Sequence, residues 1–99
     1  MKWALLQTGF LPGKLNMAID VALAELLNEH DEFSVFRIYG WNPPAISIGY
    51  NQDINEFDSN KLATAGIDLV RRPTGGRAIL HWNELTYSAV TRIEDKSLR

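Results

Sequence analysis

No cysteine occurs in the 99 residues. That excludes a disulfide framework, a thiolate metal site and a cysteine nucleophile within this stretch. Histidine is nearly as scarce. His30 and His81 stand far apart and in no metal-ligand spacing, so no metal site is expected. A charge excess of one sign is also missing. Ten basic and twelve acidic side chains leave a net charge of -2, which supplies no general attraction to nucleic acid or anionic lipid. No apolar run approaches the roughly 18 residues of a membrane-spanning helix. Met1 to Gln7 carries one lysine, a short apolar stretch and no small-residue cleavage site, so it does not read as a signal peptide. These absences predict a soluble, cytoplasmic protein. The 45% of hydrophobic residues rules out disorder, and the length fits one domain or part of one.

What is present alternates between short β-like runs and helical runs, which predicts a mixed α/β domain. Trp3 to Gln7 reads as a strand, broken by Gly9, Pro12 and Gly13. Asn16 to His30 reads as a helix, with Asn16 as N-cap and Asp20 favouring the positive end of the helix dipole. Its apolar stripe is Met17, Val21, Ala24 and Leu27, widened by Ile19, Leu23 and Leu26. Ser34 to Tyr39 and Ala45 to Ile48 read as strands on either side of a Trp41-Asn42-Pro43-Pro44 turn. Asn55 to Ala65 reads as a second helix, which Asp58 caps in a shorter version, with Gly66 as its C′ residue. Ile67 to Val70, Ala78 to Leu80 and Leu85 to Val90 read as strands, the last two joined by a polar turn around Asn83 and Glu84. Arg92 to Arg99 is charged and without a core pattern. Six strands and two helices leave much sheet surface uncovered, which suggests part of a larger domain with exposed strand edges and marginal stability of its own.

The most informative stretch is Arg71-Arg72-Pro73-Thr74-Gly75-Gly76-Arg77-Ala78. Three of the six arginines fall within seven residues, around two adjacent glycines. Gly-Gly admits close backbone approach and lets N–H groups converge on an anion. Arginine adds planar, charge-assisted donors for carboxylate or phosphate. The reading is a strand, an anion-binding loop and a returning strand; a plain hairpin with a Gly-Gly turn and exposed arginines fits these eight residues as well. Neither GxxxxGK[ST] nor GxGxxG is present, and the aromatics are not interleaved with the arginines as in a nucleic-acid patch. His81 follows the returning strand closely enough to face the same pocket, with a near-neutral pKa suited to acid–base work; as a lone histidine it fits a structural hydrogen-bonding role as well.

Three ordered motifs then resemble the lipoate–protein ligase and octanoyltransferase family, which shares its catalytic fold with biotin–protein ligases. They are Asn16 to Asp20, reading NMAID; Tyr39 to Gln52, a strand-turn-strand ending in GxxQ; and Arg71 to His81, reading RRPTGGRAILH, continued by Glu84 to Ser88, ELTYS. The resemblance implies an α/β (α+β) fold with a mixed, largely antiparallel sheet and helices packed on it. Residues 1–99 would be the N-terminal part of a single catalytic domain, less than half of it. It places Arg71, Gly75, Gly76, Arg77 and His81 at acyl- or adenylate-contacting positions. Arg77 stands where ATP-dependent ligases more often have a third glycine, and TGGRA with ELTYS is similar to the octanoyltransferase branch. The GRGRxxR-type loop of biotin ligases is absent. Trp82 departs from the acidic residue that commonly follows the histidine.

The implied activity is transfer of an octanoyl or lipoyl group to a lysine of a lipoyl domain or glycine-cleavage H protein. The implied donor is octanoyl-acyl carrier protein, and no cofactor is needed. An ATP-dependent lipoate–protein ligase, with ATP and Mg²⁺, is the alternative within the family. A non-catalytic chain that binds acyl ligand or a partner is the alternative outside it. The catalytic residues are unassigned, because the family's lysine and the transferase cysteine are expected beyond Arg99; neither Lys61 nor Lys96 matches. Val70, Ile79 and Leu80 are candidates for lining an acyl tunnel, and equally for ordinary strand core.

Overall fold

A computed structural model describes residues 2–29 and 33–91, without the side chains of residues 28 and 29. His30 and the charged segment from Arg92 to Arg99 lie outside the described residues. In chain order the elements are β1 (Lys2–Leu11), α1 (Gly13–Glu29), β2 (Phe33–Trp41), β3 (Ala45–Ile48), a 3₁₀ turn (Ile54–Glu56), α2 (Ser59–Thr64), β4 (Asp68–Arg71), β5 (Ile79–His81) and β6 (Thr86–Val90). The strands form two three-stranded sheets, ordered β1-β2-β6 and β4-β3-β5.

The mixed α/β expectation holds, with one refinement. The strands make two sheets instead of one, and pairing is evenly divided instead of largely antiparallel. β1–β2 and β3–β4 are parallel, while β2–β6 and β3–β5 are antiparallel. The reason lies in the connections. A helix follows β1 and another follows β3, and a helical crossover returns the chain parallel to the strand it left.

The alternative hairpin reading of the arginine–glycine segment, and a direct pairing of the two strands joined by the polar turn, both fail for the same topological reason. β4 and β5 flank β3 on opposite sides, so the arginine–glycine segment between them is a crossing over the end of β3 and not a hairpin turn. The four residues Trp82 to Leu85 carry the chain from one sheet to the other, with Asn83 at φ 52°.

Local chemistry explains where the elements begin and end. β1 runs through Gly9 because the glycine forms a bulge. The register steps from Gln7 opposite Ile38 to Gly9 opposite Tyr39, leaving Thr8 unpaired, and Gly9 takes φ +72°. Bulges of this kind re-aim a side chain. Asp58 caps α2, its carboxylate accepting from the Asn60 and Lys61 amides, and Gly66 follows at φ +74°. The shorter α2 is therefore the one formed.

α1 starts a turn earlier than Asn16, whose own amide already donates to the Pro12 carbonyl. Asn16 is thus no N-cap. It is wholly buried, and its Nδ2 donates to the Gly40 carbonyl at 2.9 Å. Of the predicted stripe on α1, Met17 and Leu27 are buried, while Val21 and Leu26 are exposed. Met17 joins Tyr39, Trp41, Ala45 and Val70 in the core where both sheets meet the helix.

Candidate functional site

Two loops meet beyond the C-terminal end of β3. The first, Gly49 to Gln52, closes on itself. The Gly49 amide donates to Gln52 Oε1 at 3.2 Å, and the Gln52 amide returns to the Gly49 carbonyl at 3.1 Å. This reciprocal pair is the physical content of the GxxQ spacing. Arg71 clamps the same loop, with one guanidinium nitrogen 3.2, 2.8 and 2.7 Å from the Gly49, Tyr50 and Gln52 carbonyls.

The second loop, Arg72 to Ala78, lies on the first. The Tyr50 amide donates to the Thr74 carbonyl at 2.8 Å. Gly76 adopts φ +98°, and its carbonyl oxygen lies so near Gly49 that a Cβ there would stand 1.9 Å from it. Both positions require glycine. Gly75 differs, since a Cβ added there meets nothing within 4 Å.

Arg72 holds this second loop down. Its Nη1 donates to the Ser47 carbonyl at 2.8 Å and to Ser47 Oγ at 2.7 Å. Its Nη2 donates to the carbonyls of Gly75 at 3.1 Å and Arg77 at 2.7 Å. The three arginines therefore divide. Arg71 and Arg72 are occupied by backbone oxygens, while the exposed Arg77 side chain has no polar partner among the described residues.

His81 sits beneath the loops with 6% of its surface exposed. Its ring stacks on Trp41 at 4.0 Å between centroids. Nε2 lies 2.8 Å from Ser47 Oγ, and Nδ1 pairs with Glu84. Serine, histidine and glutamate in this order resemble the wiring of a nucleophilic triad. Ser47 is completely buried and already accepts from Arg72, so no substrate reaches its Oγ. The array is a scaffold under the loop.

Between α1, β5 and β6 an open cleft of about 440 Å³ runs from the loop towards the two-sheet core. Met17, Trp41 and Ile79 supply its apolar surface, Thr86 and Ser88 one wall, and Arg72, Pro73, Thr74 and His81 its loop side. Of the five residues proposed from sequence, His81 lines this cleft. Arg71 belongs to a second groove, lined with Lys14, Val21 and Leu69. Gly75, Gly76 and Arg77 are exposed on the loop. Of the three tunnel candidates, Ile79 faces the cleft and Val70 is core at 6% exposure. Leu80 is 51% exposed and outside the cleft, as the alternation of a strand requires when its neighbours point inward.

A buried polar hub supports the cleft from behind. Arg37, fully buried, donates to Thr8 Oγ1 (2.9 Å), the Asn16 carbonyl (2.9 Å), Asp20 Oδ1 (2.9 Å) and Asn16 Oδ1 (2.7 Å). Asp20 also accepts from Ser88 Oγ at 3.0 Å and Tyr39 Oη at 3.3 Å. The guanidinium ties β1 and α1 to β2, and the Asp20 carboxylate adds β6 through Ser88. Burial, then the Asp20 carboxylate, push the Tyr39 phenol up to about 12, against the opposing pull of Arg37.

Sequence reading missed Arg72, Ser47 and Arg37 as organisers. A signal was present for two of them: Ser47 and Arg37 are polar residues inside otherwise apolar strand runs, and a polar group there needs buried partners. Among the described residues, no cluster of three His, Asp or Glu is placed to hold a metal, and no helix is long and apolar enough to cross a membrane.

Comparison with known proteins gives a consistent picture. Residues 12–99 match the lipoyl protein ligase A/B catalytic domain. The octanoyltransferase LipM of Symbiobacterium thermophilum is 52% identical over 93 residues, covering 93% of this chain and 34% of that protein. That of Geobacillus kaustophilus is 45% identical over 89 residues, covering 89% and 32%. A crystal structure of lipoate-protein ligase A bound with ATP superposes with TM-score 0.82 at 28% identity, covering 99% of this chain and 41% of that one. A bi-partite lipoate protein ligase from Thermoplasma acidophilum gives 0.71 at 28% identity, covering 99% and 40%. The chain thus spans about a third of the length of the curated relatives it matches. With its GxxQ closure, arginine–glycine loop and two-sheet frame, it belongs to the lipoyl protein ligase A/B catalytic domain family.

Proposed function

We propose that residues 1–99 are the amino-terminal part of one catalytic domain whose reaction is acyl transfer in protein lipoylation. An octanoyl group leaves octanoyl-acyl carrier protein and is delivered to a specific lysine of a lipoyl domain or glycine-cleavage H protein. The observation that carries this reading is the division of labour among the loop arginines. Arg71 and Arg72 are spent on backbone carbonyls, leaving Arg77 as the one uncommitted arginine of the loop. A neutral acyl thioester needs no cluster of free cations, whereas a triphosphate does. Relatives of 45–52% identity that bear the octanoyltransferase name support the same choice.

In this mechanism the acyl chain lies in the cleft against Met17, Trp41 and Ile79, where each buried CH₂ contributes about 0.8 kcal/mol. The Gly75–Gly76 backbone amides and Arg77, exposed on the loop that borders the cleft, are assigned to the thioester end. They stabilise the negative charge that develops on the carbonyl oxygen as the acceptor attacks. Arg71, Gly75, Gly76, Arg77 and His81 are thereby assigned to acyl binding, Arg71 and His81 through the loops and ring they hold. The attacking and polarising groups are supplied from beyond residue 99.

A second reading is ATP-dependent lipoate ligation, favoured by the likeness to the ATP-bound ligase structure; there ATP and Mg²⁺ activate the free acid. Intact mass of an apo lipoyl domain separates the two, using the full protein that carries this chain. Octanoylation from octanoyl carrier protein without ATP is the expected result. A mass gain only with free octanoate or lipoate, ATP and Mg²⁺ overturns transfer in favour of ligation. No gain in either tube, beside a competent control enzyme, overturns both in favour of an acyl-binding subunit.

A further inference from the structure

Among the described residues, Arg72 is the only side chain that grips the carbonyls of both Gly75 and Arg77, and three hydrogen bonds link it to an acid on the surface. A guanidinium has donors and no acceptor, so Ser47 Oγ accepts from Arg72 Nη1 at 2.7 Å. The single Ser47 proton is then left for His81 Nε2 at 2.8 Å. In the neutral ring every group is then satisfied with Nε2 as the unprotonated nitrogen and the ring proton on Nδ1, donated to Glu84 Oε1. Donor and acceptor counts allow no other complete arrangement of the neutral ring. It is the reverse of the tautomer that an unconstrained histidine prefers, so something must hold it, and Glu84 is the acceptor at Nδ1.

We propose that Glu84 is a positioning residue: by keeping the His81 proton on Nδ1 it directs the Ser47 hydroxyl away from Arg72 and so holds the Gly75–Arg77 loop in place for the acyl donor. If the proton moved to Nε2, His81 and Arg72 would both donate to Ser47 Oγ. The hydroxyl proton would then have no acceptor in this buried site, and an unmade buried hydrogen bond is costly. Relief comes from loosening Arg72, and with it the loop. The Trp41 ring stacked on His81 prevents the imidazole from turning away instead. Glu84 itself is 40% exposed, so its replacement opens no cavity.

The effect on catalysis rests on the acyl-transfer reading above, whereas the tautomer does not, and the two are measured separately. Two-bond ¹H–¹⁵N spectra of ¹⁵N-histidine-labelled protein report which ring nitrogen bears the proton. A protonated Nδ1 and bare Nε2 are expected for the neutral His81 ring; the opposite pattern overturns the proposal without reference to any activity. Glu84→Gln keeps an acceptor oxygen and is expected to retain both the tautomer and transfer. Glu84→Ala is expected to release the tautomer and lower kcat/KM for the octanoyl donor by about tenfold, within the loss that a displacement near 1 Å produces. Unchanged near-ultraviolet circular dichroism in both variants separates loop placement from misfolding. Equal losses in the two variants, or an Ala variant with the wild-type tautomer and rate, overturn it.

Discussion

Replacing Asp20 by asparagine removes one negative charge and almost no volume, and it isolates what the buried ion pair contributes. In the native protein the fully buried Arg37 guanidinium lies 2.9 Å from Asp20 Oδ1, whose side chain is 16% exposed. Arginine cannot shed its proton. The variant therefore leaves a full positive charge in the interior with only neutral acceptors. An asparagine Oδ1 still accepts from Arg37 and from Ser88, so those two hydrogen bonds survive, while the counter-charge and the Oδ2 acceptor of the Tyr39 hydroxyl are lost. Removing one member of a buried pair costs about 3–5 kcal/mol. The surviving hydrogen bonds and the partial solvent access of residue 20 place this case at about 2–4 kcal/mol on the same scale. Urea unfolding followed by circular dichroism measures it, with a lower midpoint at unchanged slope as the signature of lost native stability. Arg37→Met provides the companion measurement. It leaves Thr8, the Asn16 carbonyl and Asn16 Oδ1 without their donor and is expected to cost at least as much. In the double variant a coupling of about 0.5–3 kcal/mol is expected for groups in direct contact. A loss below about 1 kcal/mol for Asp20→Asn would refute the reasoning: the carboxylate would then act as an ordinary acceptor, and the charge would not be what ties α1 to β2.

Two further outcomes follow from the same structure. The Tyr39 phenol titrates near 12 in the folded protein against an ordinary 10.0; native stability is therefore level below pH 10 and falls as pH rises towards 12, by about 2–3 kcal/mol in all at 1.36 kcal/mol per unit. Tyr39→Phe abolishes that alkaline loss, and an equally steep fall in the variant would assign it elsewhere. Gly49→Ala places a methyl group 1.9 Å from the Gly76 oxygen, a backbone atom that yields only if the loop moves. Transfer to the lipoyl domain is expected to fall at least tenfold, whereas Gly75→Ala, with nothing within 4 Å of the new carbon, leaves loop packing and thermal stability near wild type; kinetics and thermal melts of the two variants compare them directly.

Chain composition and spacing carried the reading of this protein a considerable distance. β3 was legible to the residue, because Ala45 to Ile48 is a short apolar run between a proline pair and a glycine. Asp58 and Gly66 marked the ends of α2 through capping chemistry that depends only on neighbours. The arginine–glycine segment stood out because such residue density is rare, and its order with the GxxQ and NMAID motifs led to the right family. These are local properties, set by backbone sterics and by hydrogen bonds a few residues long.

Partnership was decided only in three dimensions. Nothing in the row Arg71-Arg72 distinguishes an arginine that clamps the GxxQ loop from one that clamps the glycine loop, nor either from the uncommitted Arg77. The difference arises because β4 and β5 flank β3 and deliver the two guanidinium groups to different carbonyls. Likewise Asn16 and Asp20 read as helix-end residues, yet they face Arg37 across the helix–sheet interface, because a buried charge must draw its partners from whatever elements the fold brings against it. The sequence by itself determined where strands and helices form and which segment is chemically unusual. The tertiary structure alone decided which polar groups satisfy one another, since hydrogen bonds between residues 17 to 68 positions apart exist only after the sheets and α1 have packed.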